Sequence, residues 1–226
     1  MLMQNFAAMG LLGVLWAVVA FSLAFGDAGN AGFIGNFDFI GLKDVGATVG
    51  PEFFALSIPF VLFCAYQMTF AIITPALITG ATADRLKFGA YMAFIGVWLV
   101  LVYAPVAHWV FAGGWLADMG ALDFAGGAVV HINAGAAALA LVLVLGKRKG
   151  WGKEAMRPHS LPLTMLGTGI LWFGWFGFNA GSALAANGVA AHALMNTSLA
   201  ASAGMLGWIG LEKIREGHST TLGAAS

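Results

Sequence analysis

His131 stands in GGAVVHINAGAAALAL, a run with no other ionisable group. An imidazole inside a stretch apolar enough to cross a membrane is expensive to keep there. It marks either a route for a polar solute or a neutral ring hydrogen-bonded to a neighbouring helix. The sequence leaves both readings open. The Gly and Ala residues around it allow close helix packing. Asn133, two residues on, faces elsewhere and reads as an interhelical hydrogen-bonding group. Asp123 opens the same segment in LDFAGG. A carboxylate there can cap free N–H groups at a helix start, and a fixed anion near a pore mouth can also draw in a cation. The two roles are compatible.

Tyr66 and Phe70, in AYQMTF, are spaced to share one helix face. Such a pair can gate a narrow passage or hold a cation on its π faces; plain packing or lipid contact is the alternative. Pro75 in the same run predicts a kink. A further segment, LGTGILWFGWFGFNAGSA, interleaves Trp172, Trp175, Phe176 and Phe178 with Gly174, Gly177 and Gly181. A small-residue packing seam accounts for the glycines. It accounts less well for the Ser182 hydroxyl beside aromatics. His108 and Trp109 read as interface residues, Trp109 an anchor and His108 a surface or hydrogen-bonding group. His159, His192 and His218 fall in or beside connections. No HExxH, CxxC, phosphate-binding loop or nucleophile elbow is present, and nothing suggests a phosphate or redox cofactor. The single cysteine, Cys64, excludes an intramolecular disulfide.

The elements that hold these residues follow from composition. The chain has 226 residues, 60% hydrophobic and 9% charged, with a mean hydropathy of +0.88. Soluble domains carry roughly 25% charged residues, so this chain lacks the polar surface of a water-soluble globule. A soluble enzyme, a nucleic-acid binder and a disordered chain are disfavoured together. Ten basic and ten acidic residues give zero net charge, which implies no polyanion partner. A membrane-crossing helix needs about 20 apolar residues. Six stretches qualify, at 4–25, 53–80, 88–111, 124–146, 161–181 and 189–211. The expected fold is all-α: a polytopic transmembrane helix bundle of about six spans, with residues 1–226 forming a single membrane domain. The runs are too long and do not alternate as β-barrel strands would.

Lysine and arginine set the orientation. If the spans alternate, nine of the ten basic residues fall on one side, from Arg85 to Arg215, and only Lys43 falls on the other. The basic side is expected to be cytoplasmic, with both ends of the chain there, in a multi-pass cell-membrane protein. Met1 runs almost at once into apolar sequence with no basic flank, and HSTTLGAAS ends without a charged tail. Both ends read as truncated.

The segments GALDFAGGAVVHINAGAAAL, LGKRKGWGKEAMRPHSLPL and ILWFGWFGFNAGSALAAN, in this order and spacing, resemble the ammonium transporter (Amt/Mep/Rh) family. ITPALITGATADRLKFGAYMAF and YAPVAHWVFAGGWL extend the resemblance over essentially the whole chain. The resemblance implies a homotrimer in which each subunit has its own narrow hydrophobic pore. It implies eleven spans, the first ten in two inverted halves, of which this chain looks like the second to seventh. By motif, Phe70 and Phe111 correspond to the cation–π partners of ammonium at an outer recruitment site. Ser182 corresponds to the hydroxyl that accepts a hydrogen bond from the ion, and Asp123 to the acid near that site. Tyr66 and Phe178 correspond to an aromatic gate. His131 corresponds to the first of two pore histidines, and Trp175 falls with these residues along the pore. Phe111 stands where many members have Trp, the stronger cation–π partner.

The resemblance also implies a mechanism. Ammonium would meet a large desolvation penalty in a dry pore, and a cage of aromatics and a hydroxyl replaces part of its water shell. Burial disfavours the charged form of an amine, so the ion loses its proton and neutral ammonia passes along the imidazole track. Potassium cannot deprotonate and is excluded. A PII-type regulatory protein is implied at the cytoplasmic face, alongside lipid contact. Two alternatives stand beside transport: an ammonium sensor built on the same core, and a fragment without activity.

Overall fold

Where water is scarce, backbone N–H and C=O groups must pair within their own segment, so long uncharged runs become helices. The computed structural model describes residues 1–226 and contains helices and connecting turns, with no β-strand. Two compact units form, Met1–Trp151 and Gly152–Ser226.

In the first unit, α1 (Leu2–Phe25) and α2 (Phe60–Thr82) are followed by α3 (88–111), the short α4 (Trp115–Asp118) and α5 (Gly127–Leu145). Helix α2 packs on α5, and α1 packs on α2 and α3. Three of these helices contain a π-helical segment: Trp16–Ala20 in α1, Leu99–Tyr103 in α3 and Gly127–Ile132 at the start of α5.

The core is aromatic at the end of the unit where α1 and α3 finish and α2 and α5 begin. Phe25 and Phe63 meet edge to face at 5.0 Å, and Phe60 stacks beside Phe63. Phe39 and Phe54, from the long α1–α2 connection, pack on Phe60 and Phe63. That connection is pinned by Ser22, whose hydroxyl donates to the Asn36 carbonyl and accepts from the Phe39 N–H, both at 2.9 Å. At the opposite end Gln4 donates to the Leu86 carbonyl at 3.3 Å, which ties the start of α1 to the α2–α3 turn.

The second unit contains α6 (Leu161–Gly181), α7 (Gly188–Glu216) and the short α8 (Thr221–Ala225). Ser160 and Asn187 cap α6 and α7 by accepting from the N–H groups of Leu163 and Ala190. Gly217, at φ 80°, ends α7 in the left-handed conformation that glycine tolerates. Asn179 on α6 donates to the Thr197 hydroxyl on α7 at 2.9 Å.

Two expected helix starts are corrected. The second span starts at Phe60 rather than 53, because Pro51 and Pro59 hold extended backbone and Phe53 and Phe54 sit in a separate one-turn helix. The fourth starts at Gly127 rather than 124, because Gly126 takes φ 100° and the chain turns there. Five helical stretches are long and apolar enough to cross a membrane, the third counted with α4. The sixth, α7, has the length at 29 residues but carries Asn196, Thr197, Ser198 and Ser202 along its middle.

Candidate functional site

Asp123 precedes α5, and its carboxylate accepts four backbone N–H bonds. Oδ1 takes those of Gly126 and Gly127, each at 2.7 Å. Oδ2 takes those of Ala128 and Val129, at 2.9 and 3.0 Å. A helix start leaves four N–H groups without intrahelical partners, and one carboxylate here meets that number. The anion also lies at the positive end of the α5 dipole. Gly126 makes the turn possible: besides its positive φ, a Cβ there would fall 2.8 Å from Val130. The same built Cβ would lie 3.5 Å from the Phe70 ring, so the Asp123 turn is seated directly against α2.

Phe70 is almost fully buried, at 1% exposure. Tyr66 meets it edge to face at 4.9 Å, as the spacing along α2 predicts. Phe111, the last residue of α3, meets it at 6.4 Å with the rings at 89°. The three rings and the capped turn of α5 therefore form one constellation. Thr74, one turn below Phe70, donates to the Phe70 carbonyl at 2.7 Å. Tyr103, on the π-helical segment of α3, is fully buried two turns before Phe111. Sequence reading passed over it because a tyrosine in an apolar run carries no signal by type alone.

His131 lies within the π-helical segment that Asp123 caps, and its side is exposed. Asn133 is buried, as facing elsewhere requires, but it donates to the Val129 carbonyl of its own helix at 3.2 Å. The expected interhelical bond is thus corrected: an Asn amide in a helix reaches the carbonyl one turn back more readily than a neighbour.

In the second unit, Trp175 and Phe178 stack at 4.7 Å with the rings at 15°. Ser182 follows the end of α6, and its hydroxyl donates to the Phe178 carbonyl at 2.8 Å. An oxygen that donates its proton to the backbone still presents lone pairs to a donor. Trp175 also borders a cavity of about 530 Å³ between α6, α7 and α8.

Of the two readings of His108, surface or hydrogen-bonding, the second holds. It is not a surface residue: it is fully buried in α3, with Nδ1 3.1 Å from the Ala24 carbonyl of α1. Trp109 beside it donates to the Phe33 carbonyl at 2.6 Å. No three His, Cys, Asp or Glu side chains gather as a metal site would need.

The opposite end of the first unit is charged. Arg85, after α2, donates to the carbonyls of Ala81 and Gly146, at the ends of α2 and α5. Asp84 pairs with Arg148 at 2.7 Å. The hydrogen bond and charge of Arg148 hold the Asp84 carboxyl below the usual carboxylate range.

The sequence profile of the Ammonium Transporter Family matches residues 1–226. An ammonium transporter of Mycobacterium tuberculosis (strain H37Rv) is 52% identical over 247 residues, covering 100% of this chain and 52% of that protein. An ammonium transporter of Bacillus subtilis is 49% identical, covering 99% of this chain and 54% of its own length. The crystal structure of Candida albicans Mep2 is similar with a TM-score of 0.87 at 39% identity, covering 97% of this chain and 49% of that one. The chain spans about half the length of the curated relatives it matches.

Proposed function

Because the chain belongs to the ammonium transporter family, we propose that it supplies part of a path by which ammonium is captured and ammonia crosses a membrane. It is a multi-pass membrane protein, and its named relatives are transporters rather than enzymes. The observation that carries the reading is the Tyr66–Phe70–Phe111 constellation seated against the Asp123 turn. A π face attracts ammonium without binding it so tightly that it cannot move on. In this reading Phe70 and Phe111 receive the ion, and the Ser182 hydroxyl accepts one of its hydrogen bonds. Asp123 acts at a distance, since its oxygens are already taken by the N–H groups of α5. Tyr66 and Phe178 form the gate, and His131 and Trp175 line the way beyond it. Ammonium loses its proton there because a dry passage disfavours the charged amine.

The reading also places the Asp123 end outside and the Arg85 end in the cytoplasm, in accordance with the distribution of basic residues. It extends to a homotrimer and to a PII-type regulatory partner at the Arg85 end. Ammonium uptake into vesicles containing the purified protein tests it. Phe70→Ala and Phe111→Ala are each expected to raise the ammonium concentration for half-maximal uptake about threefold, the loss of one cation–π face. Uptake equal to that of the unaltered protein in both variants would sink the recruitment site.

A further inference from the structure

The Phe70–Phe111 pair is built from unequal supports. Phe70 belongs to α2, which is α-helical from Phe60 to Thr82 with no π-helical segment, its one proline, Pro75, lying more than a turn beyond Phe70. Phe111 belongs to the piece Ala104–Phe111, which follows a π-helical segment, Leu99–Tyr103. A π turn breaks the regular i→i−4 ladder, so the helix below it does not alone fix the direction of the piece above. Helix α1 repeats the arrangement, with Phe21–Phe25 following its own π-helical segment, Trp16–Ala20. The two end pieces pack on each other.

Three hydrogen bonds join them and the chain just beyond. The Gly29 N–H donates to the Ala112 carbonyl at 2.8 Å, and Trp109 Nε1 to the Phe33 carbonyl at 2.6 Å. The third is His108 to Ala24 at 3.1 Å, and its side chain alone is fully buried. The Ala24 carbonyl lies in the last turn of α1, where carbonyls have no donor four residues on. A carbonyl only accepts, so Nδ1 is the nitrogen that donates to it. Nε2 is buried without a hydrogen-bond partner and faces Gly32, where a built Cβ would lie 3.7 Å away. The ring is thus oriented by its Nδ1 side. One turn further along the same piece stands Phe111.

We propose that His108 is a positioning residue for the aromatic pair: by tying the end piece of α3 to that of α1, it sets the Phe111 ring across from Phe70. Its effect on transport rests on the ammonium reading above; its effect on the ring does not. Asn at 108 retains an N–H donor near the place of Nδ1 and has no counterpart of Nε2. Phe at 108 fills the space and leaves the Ala24 carbonyl without a donor.

The test uses the complete protein with 4-fluorophenylalanine at position 111, read by fluorine NMR in detergent and by ammonium uptake in vesicles. His108→Phe is expected to shift or broaden the fluorine line, and His108→Asn to restore it. In uptake, His108→Phe raises the half-saturating ammonium concentration about threefold, with the maximal rate within about twofold, because one cation–π face is misplaced. Added to Phe111→Ala, it raises that concentration no further. Should His108→Phe fail to assemble, His108→Ala carries the same readings. A fluorine line unmoved by the loss of the imidazole, an Asn variant as impaired as Phe, or effects of positions 108 and 111 that multiply would overturn the proposal. A protein that takes up no ammonium at all would sink the ammonium reading, while the fluorine line still decides the role of His108.

Discussion

The two ends of α5 are held by opposite charges in opposite surroundings. At its start, one carboxylate collects four N–H groups in a half-buried turn against an aromatic core. At its finish, the Arg85 guanidinium takes the carbonyl of Gly146 as well as that of Ala81, beside an exposed Arg148–Asp84 pair. Both arrangements suit the helix dipole, with the anion at the N-terminus and the cation at the C-terminus. They differ in what water can do. At the Arg85 end, solvent can replace a lost contact, and salt can screen the charges. At the Asp123 end, the four N–H groups belong to a turn only partly open to water, so solvent could replace some of the lost bonds but not all. One charged residue there does what several exposed ones do at the other end, and that asymmetry is the thing to break.

The largest effect is expected from Asp123→Ala. It removes four charge-assisted hydrogen bonds at once and is expected to lower stability by about 3 kcal/mol or more. Thermal unfolding of the detergent-solubilised protein measures this. Uptake should fall further than in either Phe70→Ala or Phe111→Ala, since the turn that seats against Phe70 would itself unwind. If uptake ranks the other way, Asp123 is a cap and nothing more.

Gly126→Ala comes next. Its φ of 100° and the 2.8 Å approach to Val130 both oppose a side chain. We expect a loss of about 1–3 kcal/mol from strain alone, with every Asp123 acceptor still present. The same thermal assay sharpens the comparison by separating the shape of the turn from its charge. A Tm unchanged by the added methyl would show that the turn relaxes freely.

How much of this was legible in the sequence depends on the range of the interaction. Length and apolarity gave the helices, and residues 161–181 matched α6 at both ends. The Tyr66–Phe70 contact follows from helical spacing, and the capping role of Asp123 from its type and place. The starts of α2 and α5 were missed because Pro59 and Gly126 act on single backbone angles, which an apolar window averages away. The π-helical segments were invisible because packing selects them rather than residue type. For His108 the hydrogen-bonding reading held, but the choice against a surface position was not legible, because its partner lies 84 residues earlier in the chain and nothing local shows that the ring is enclosed. The pairing of Phe70 with Phe111 is likewise tertiary, and only the family resemblance pointed to it.

The smallest effect belongs to the other end of α5. Arg148 holds the Asp84 carboxyl below its ordinary value of 3.8. A carboxyl depressed in the folded state adds stability above its unfolded pKa and loses that contribution as pH falls through the folded value. The pair should therefore matter from neutral pH down to roughly pH 4 and fade below it. Because Asp84 is solvent-exposed, Asp84→Asn is expected to lower Tm only slightly at neutral pH in low salt, and not at all in about 1 M salt, where charges are screened within a few ångströms. Thermal scans of the variant and the unaltered protein at two salt concentrations, at pH 7 and pH 3, check both conditions. A large loss that survives high salt would mean that this end of α5 is at least as shielded from water as the half-buried Asp123 turn. The contrast between a half-buried anchor and an exposed one would then fail at its weaker side.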